Sequence, residues 1–227
     1  MGNSRGVRGW RLTALAAIAW GLFTITVLHI ISSHDPIYDT LSSYTITDRG
    51  EGMLGASVLS VAVGSLAVLG ALIAGGVPMT FSTKALLMLW ALGLAVAAVF
   101  PASYPQSPNP LSGDIHLYSC LIAFASLPGA AITMLEPLRG TAERVFVVRW
   151  LKFGLAAVGL FALSFLFVRL DEAGVQPFHV LTEVLPVGAT QRLTLIANVA
   201  LLLVLLRIAV RTETARAAVL VTSAPRP

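Results

Sequence analysis

The chain has 227 residues, of which 56% are hydrophobic and only 11% are charged. A soluble domain carries about 25% charged residues, so this composition excludes an ordinary soluble protein. The net charge of +4 does not indicate a nucleic-acid partner, because the basic residues lie at the ends of apolar segments, where they orient helices in a membrane. The single cysteine, Cys120, excludes an internal disulfide. The sequence therefore predicts an integral membrane protein.

Six apolar segments have the length needed to span a bilayer. Their apolar residues are continuous rather than alternating, which favours helices over a transmembrane barrel. The segments run approximately over Leu12–Ile31, Met53–Ile73, Ala85–Phe100, Ile115–Leu135, Phe153–Leu170 and Leu193–Val210. We therefore predict an all-α bundle of six transmembrane helices over residues 12–210, with a basic N-terminal segment (1–11) and a mobile cytoplasmic tail (211–227).

Two details of the segments add to this prediction. No small-residue cleavage site follows the first segment, so we expect it to be a retained helix rather than a signal peptide. Glycine and serine recur in the second segment, and small residues let membrane helices approach closely. We therefore expect the second helix to be central to the bundle.

Charges divide unequally between the two sides of the predicted bundle. With the N-terminus placed in the cytoplasm, twelve of the fifteen basic residues fall on the inner side, which is the pattern of the positive-inside rule. Eight of the eleven acidic residues and all four histidines fall on the outer side. We therefore predict a multi-pass cell-membrane protein with cytoplasmic termini and with its ionisable side chains at the extracytoplasmic end.

The first outer loop begins a group of candidate catalytic residues. His29 lies about one turn below the end of the first apolar segment, and an ionisable residue within a membrane segment indicates function. The alternative is a buried histidine that only bonds a neighbouring carbonyl. Asp35 and Asp39 follow in the loop. Partial burial favours the protonated form of a carboxylic acid, which would suit them to general acid catalysis; alternatively they cap the next helix.

The start of the fourth segment carries a second group of candidates. Asp114 is a third possible general acid, and either Ser112 or Asp114 is the expected N-cap of this helix. His116 and Cys120 are four residues apart and share a helical face, as do Asp114 and Tyr118. A zinc site needs at least three protein ligands. We therefore expect no cofactor at this pair.

The last outer loop predicts a short interfacial helix with Phe178, Leu181 and Leu185 on its apolar face. His179 and Glu183 are spaced to pair on another face of that helix. A zinc site built from His179 and the histidines of the other loops would lack an H-x-x-x-H pair. The sequence therefore gives only weak support to metal-assisted hydrolysis.

Gln191 and Arg192 open the sixth segment. Arg192 either reaches lipid phosphate or holds the acids of the first loop, and the scarcity of outer bases favours the second role. We expect Arg192→Ala to be more harmful than Arg49→Ala. Tyrosines would suit a lipid-like or isoprenoid substrate. The predicted substrate-binding residues are Tyr38, Tyr44, Tyr118, Gln191 and Arg192.

Several of these motifs resemble those of a known family. They are His29, the Asp-Pro and Ser-Tyr elements of HDPIYDTLSSY (34–44), Phe100-Pro101, Gly113-Asp114-Ile115-His116 and Gly188-x-x-Gln191-Arg192. Over residues 12–210 the chain resembles the bacterial six-helix membrane family known as domain of unknown function 998. The resemblance implies the fold and no reaction. Members often carry acids where this chain has Ser43 and residues 102–104, so an activity that needed those acids would be lost or altered here.

Two classes of function remain open. The first is an intramembrane enzyme that acts on a lipid-like or isoprenoid substrate by proton-initiated cyclisation or hydrolysis. Its predicted catalytic residues are Asp35, Asp39, Asp114, His116 and His29, and we expect Asp35, Asp39, Asp114, His116 and Arg192 to approach one another. The second is a non-enzymatic sensor, accessory subunit or small transporter in which these residues tie helices together. The expected partners are membrane lipid and a hydrophobic small molecule, and no nucleic acid.

Overall fold

A computed structural model of the chain describes residues 3–46, 51–105 and 108–222. Over these residues it contains seven α helices, one short 3₁₀ helix and no β strand. The α helices are α1 (Asn3–Ile31), α2 (Glu51–Ala74), α3 (Phe81–Val99), α4 (Pro110–Thr133), α5 (Ala142–Glu172), α6 (Phe178–Val184) and α7 (Val187–Thr222), and the 3₁₀ helix is Leu41–Ile46. All of the α helices except α6 are long and apolar enough to cross a membrane. The predicted all-α bundle with six spans is thereby confirmed.

The helices are longer than the apolar segments from which they were predicted. The candidate spans are Gly6–Ile31, Gly52–Ala74, Phe81–Val99, Pro110–Thr133, Ala142–Glu172 and Val187–Val219. α7 continues past the predicted boundary at Val210 as far as Thr222, through a sequence that contains several alanines and arginines, which are good helix formers. The mobility of the tail stays a prediction, and residues 223–227 lie outside the described part of the chain.

The start of α4 differs from the prediction. The helix begins at Pro110, and the side chain of Asn109 accepts a hydrogen bond from the backbone N–H of Ser112. Proline is favoured in the first helical turn because its φ is already helical and its missing N–H has no helical partner there. The prediction that Ser112 or Asp114 caps α4 was therefore wrong. The Ser112 hydroxyl instead donates to the carbonyl oxygen of Pro101 at 2.7 Å, which ties α4 to the end of α3.

Small residues hold α1 against α2. The Ser57 hydroxyl donates to the carbonyl oxygen of Gly21 at 2.7 Å. A Cβ on Gly64 would lie 2.7 Å from a side-chain carbon of Ile18 and 3.3 Å from the carbonyl oxygen of Ala14. Close backbone approach of this kind is how helices associate in lipid, where the hydrophobic effect does not drive them together. α2 also contacts α3 and α7, so its predicted central position is confirmed.

A buried polar face joins α5 to α7. Thr190, Thr194 and Asn198 recur every fourth residue and are almost completely buried. The hydroxyl oxygens of Thr190 and Ser164 lie 2.6 Å apart, and the Thr194 hydroxyl donates to the carbonyl oxygen of Ala157 at 2.9 Å. The Asn198 amide donates to the carbonyl oxygen of Thr194. The bond of Asn198 lies within α7, whereas the contacts of Thr190 and Thr194 with α5 are interhelical, and hydrogen bonds between helices stabilise their association inside a bilayer.

The bundle has two chemically different ends. At one end, which we call the first-loop end, the connections after α1, α3 and α5 lie together with the start of α7. At the other end Arg211 Nη1 lies 3.1 Å from Glu143 Oε1, and Arg216 Nη1 lies 3.4 Å from the carbonyl oxygen of Gly75. Six alternating spans place the first and last helical residues together at this second end. Which end faces the cytoplasm stays a prediction from the charge distribution.

Candidate functional site

Arg192 lies at the centre of a hydrogen-bond network at the first-loop end. Its Nε donates to Nε2 of His29 at 2.7 Å, and its Nη2 donates to the hydroxyl of Tyr44 at 2.9 Å. Its Nη1 donates to the carbonyl oxygens of Asp39 at 2.7 Å and of Gly188 at 3.0 Å. We call these five residues the arginine cluster. Because a guanidinium has five N–H donors, this network leaves Arg192 little capacity to bind a lipid phosphate.

His29 is held through both of its ring nitrogens. Nδ1 lies 2.6 Å from the carbonyl oxygen of Ile25, which can only accept, so Nδ1 carries the hydrogen. Nε2 faces the Nε–H of Arg192 and must accept. This pair of partners fixes one tautomer of a neutral imidazole. His29 therefore bonds a neighbouring carbonyl, which is what we expected of a histidine with a structural role. It also holds Arg192 against α1.

The start of α7 binds the backbone of the first loop. The side-chain oxygen of Gln191 accepts a hydrogen bond from the backbone N–H of Leu41 at 2.6 Å. The backbone N–H of Ala189 donates to the carbonyl oxygen of Ile37 at 2.8 Å. These bonds join parts of the chain that are about 150 residues apart. Gln191 thus positions the 3₁₀ helix that follows the loop.

Gly188 allows the loop to approach α7 this closely. A Cβ at this position would lie 2.7 Å from the carbonyl oxygen of Ile37 and would overlap the carbonyl oxygen of Asp39. Both obstacles are backbone atoms and cannot move independently of the loop. The Gly188-x-x-Gln191-Arg192 motif is therefore a docking site for the first loop.

The carboxylates of the first loop order the loop itself. Asp39 Oδ2 lies 3.1 Å from Nδ1 of His34 and accepts a hydrogen bond from the backbone N–H of Asp35 at 2.9 Å. Asp35 Oδ1 accepts from the backbone N–H of Ile37 at 2.7 Å. The prediction that Arg192 binds the carboxylates of this loop was wrong for Asp39. Arg192 bonds the backbone carbonyl of Asp39, because the Asp39 carboxylate is turned back to its own loop.

His116 is oriented by the end of α3. Its Nδ1 lies 3.0 Å from the carbonyl oxygen of Ala97 and 2.9 Å from that of Phe100. Since both partners can only accept, Nδ1 carries a hydrogen, and in the singly protonated ring Nε2 is then the acceptor. Cys120 Sγ lies 3.5 Å from this Nε2, one turn further along α4. The predicted shared face of His116 and Cys120 is confirmed.

Tyr104 connects the α3–α4 loop to the first loop. Its hydroxyl lies 3.3 Å from Oγ1 of Thr40. Burial raises the pKa of the Tyr104 phenol, and hydrogen bonds with Ser42 and Thr40 oppose this rise. Sequence reasoning considered Tyr104 only as a position where related chains carry an acid. Nothing in the local pattern marks a contact with a residue so distant along the chain.

A cavity of about 120 Å³ lies between α1, α2, α3, α4 and α7, with the 3₁₀ helix at its first-loop end. Its walls are mostly apolar, and they include Ile25, Leu54, Val58, Leu94, Phe124 and Leu195. Its polar lining side chains are Ser42, Thr45, His116, Cys120 and Gln191. An apolar cavity with a few convergent polar groups is the usual form of a small-molecule site.

The predicted site residues fall into three groups in the structure. His29, Asp39, Tyr44 and Arg192 belong to the arginine cluster, whereas His116 and Gln191 line the cavity. The exposed group consists of Asp35, Tyr38, Asp114 and Tyr118. In the described part of the chain, hydrogen bonds join Arg192 to Asp39 but to neither Asp114 nor His116. The roles assigned to these residues stay predictions.

The last loop forms the predicted short helix, α6. His179 Nε2 lies 3.9 Å from Glu183 Oε1, and His179 Nδ1 lies 3.5 Å from Asp171 Oδ2. The His179 and Glu183 side chains are about two-thirds exposed, so their pairing contributes little to stability. Over residues 3–46, 51–105 and 108–222, no group of three or more His, Cys, Asp or Glu side chains is arranged to hold a metal ion. The expectation about cofactors stays untested.

The arginine cluster and the cavity both lie within the part of the chain that matches a known family. No curated protein and no solved structure matches the chain. A family model described as "Protein of unknown function (DUF998)" matches residues 9–208, which include all the residues of both features. The chain belongs to this family, as the resemblance of its motifs predicted.

Proposed function

We propose that this protein binds a lipid-like molecule in the cavity between α1, α2, α3, α4 and α7, and that His116 exchanges a proton with it. The observation that carries the proposal is the lining of the cavity. Most of its walls are aliphatic or aromatic, and its polar groups are few and uncharged. Because these walls lie within helices of membrane-spanning length, a molecule dissolved in the bilayer is the natural occupant.

The choice of His116 follows from the positions of the predicted catalytic residues. Of the five, His116 alone is among the described residues that line the cavity. The backbone carbonyls of Ala97 and Phe100 hold its Nδ1–H and so fix the direction of Nε2. Catalytic bases are often oriented in this way by a third group. Acceptance of a proton at Nε2, from a ligand hydroxyl or a water molecule, is therefore the chemistry that this residue supports best. This favours chemistry that begins with a base over cyclisation started by a carboxylic acid.

A non-enzymatic role is the second candidate, and one observation favours it. The carboxylates of Asp35 and Asp39 bond within the first loop, and Asp114 is exposed on α4. None of these acids is among the residues that line the cavity. A protein that binds its ligand without changing it needs no acid there.

Filling the cavity tests the proposal. Val58 lines the cavity, whereas Val63 lies on the same helix with about half of its surface exposed. We expect a lipid-like molecule to co-purify with the wild-type protein and with Val63→Phe but not with Val58→Phe, as measured by native mass spectrometry and extraction. Equal recovery from all three proteins, or none from the wild type, would contradict the proposal. Among proteins that retain the molecule, loss of turnover in His116→Gln separates an enzyme from a binding protein.

A further inference from the structure

We infer that the cavity selects a ligand whose headgroup is an uncharged hydroxyl, an inference that rests on the proposed function. The first observation is the character of the lining. No Asp, Glu, Lys or Arg is among the described residues that line the cavity. A carboxylate or phosphate placed there would lose its hydration without gaining an opposite charge, which is a large free-energy cost.

Arg192 does not supply that charge. It is adjacent to Gln191, which lines the cavity, but it is not itself among the lining residues. Its guanidinium donates to His29, Tyr44 and two backbone carbonyls. An anionic headgroup would have to displace bonds that hold the first loop to α7. The arginine that sequence reasoning assigned to substrate binding is therefore committed to structure.

The hydrogen-bonding groups that remain are complementary to a hydroxyl. The oxygen of the Gln191 side chain is occupied by the backbone N–H of Leu41, so its amide offers N–H donors to a ligand. His116 Nε2 offers an acceptor, since Nδ1 holds the ring hydrogen. Its neighbour in the protein is the thiol of Cys120 at 3.5 Å, which is a weaker donor than a hydroxyl. A hydroxyl both donates and accepts, whereas an ether or a ketone only accepts. Sites that hydrogen-bond a hydroxyl discriminate strongly against analogues that lack it, because their own polar groups are left unpaired.

The volume limits what enters with the headgroup. An engineered cavity of about 150 Å³ holds one benzene ring, and this cavity measures about 120 Å³. It therefore accommodates about five heavy atoms, the hydroxyl oxygen and about four carbons, by the same comparison. The cavity is partly open, so the rest of a longer chain extends out between the helices. A long-chain or isoprenoid alcohol satisfies all of these conditions.

Photoreactive probes test this inference on the full-length protein in lipid nanodiscs. The probes are a long-chain primary alcohol, the matching carboxylic acid and the matching methyl ether, each with a diazirine close to the headgroup. At a mildly alkaline pH, where the acid is ionised, we expect the alcohol to label cavity residues at about one-tenth of the concentration that the acid or ether needs. For the ether this ratio corresponds to the loss of one or two hydrogen bonds. For the acid it is a minimum, because the ionised carboxylate also loses its hydration. Gln191→Leu removes one bond to the ligand and also the acceptor for Leu41 N–H, so it should weaken labelling by the alcohol by at least about fivefold.

The outcomes separate this inference from the proposed function. Equal labelling of the cavity by all three probes, suppressed by Val58→Phe, would overturn the hydroxyl headgroup and leave the proposed function standing. Preference for the acid would also overturn it and would point to a cation at the cavity. If Val58→Phe and Val63→Phe are both labelled as strongly as the wild type, the hydroxyl headgroup and the proposed function are both overturned. The comparison of probes uses the wild-type protein, so it does not depend on the folding of Gln191→Leu.

Discussion

At the scale of single residues, Arg192 organises the first-loop end. One guanidinium bonds a side chain of α1, the Tyr44 hydroxyl of the 3₁₀ helix, a carbonyl of the first loop and a carbonyl of its own helix. The same guanidinium lies 5.7 Å from the centre of the Tyr44 ring. Tyr44 is completely buried. Removal of Arg192 would therefore break several hydrogen bonds at once.

We expect Arg192→Ala to lower the free energy of unfolding by about 3 kcal/mol, because a bond to a charged donor contributes about 1.5–3 kcal/mol. Arg49, the comparison chosen from the sequence, lies outside the described residues, and Arg169 serves as the control. Its Nη1 lies 2.6 Å from Glu172 Oε2, but both side chains are more than half exposed. Arg169→Ala should therefore cost less than about 1 kcal/mol. Thermal unfolding in detergent measures the stability of both variants. Equal decreases in unfolding temperature would contradict the central role of Arg192.

At the scale of elements, the first loop and its 3₁₀ helix depend on α7 for their position. The 3₁₀ helix has only six residues, and a helix of that length has little stability of its own. The bonds that fix it come from Gln191 and Arg192. Gly188 provides the space in which these bonds form. A change at Gly188 should therefore disturb the loop without altering α7 itself.

Gly188→Ala tests this dependence. The new Cβ would overlap the loop backbone, and we expect a loss of about 1–3 kcal/mol, as for overpacked interiors. Gly159→Ala in α5 is the matched control, since beyond the adjoining backbone of its own helix no described atom lies within 4 Å of its added Cβ and alanine favours helix by about 1 kcal/mol. Limited proteolysis should show faster cleavage near residues 33–40 in Gly188→Ala alone. Unchanged cleavage in both variants would show that the loop does not depend on this close approach.

The helices could be predicted from the sequence, but the pairing of side chains could not. Apolar runs of spanning length specify membrane helices, because lipid leaves the backbone no other partner than itself. The start of α4 was misplaced because Asn109 and Pro110 supply a stronger start signal than Ser112. Asp39 was selected for its carboxylate, whereas Arg192 bonds its carbonyl. Every residue carries a carbonyl, so no residue type signals that contact.

At the scale of the whole molecule, the two ends of the bundle differ in charge. Arg211 and Arg216 lie near Glu143 and Gly75 at one end, and the histidines and most of the acids in the described residues lie at the other. The positive-inside rule assigns the arginine-rich end to the cytoplasm. The fold is consistent with either orientation, because six spans place both ends of the bundle's chain on one side of a membrane, whichever side that is. The orientation therefore needs a direct measurement.

Single-cysteine labelling supplies that measurement. In a Cys120→Ala background, Asp35→Cys lies on the first loop and Arg139→Cys on the exposed α4–α5 connection at the opposite end. We expect a membrane-impermeant maleimide to label residue 35 in intact cells and residue 139 only after permeabilisation, because the positive-inside rule places the first loop outside. The reverse pattern would invert the predicted topology and leave the packing of the bundle unchanged.

The 3₁₀ helix faces two environments at once. Leu41, Ser42 and Thr45 form part of the cavity wall, while Asp35 and Tyr38 in the turn just before them are exposed at the surface. A guest molecule that shifts this wall must therefore shift the outward turn as well. By reciprocity, a partner that binds the turn from outside must change the free energy of ligand binding in the cavity by the same amount. Residues 35–45 thus couple the occupancy of the cavity to the exposed surface of the first loop.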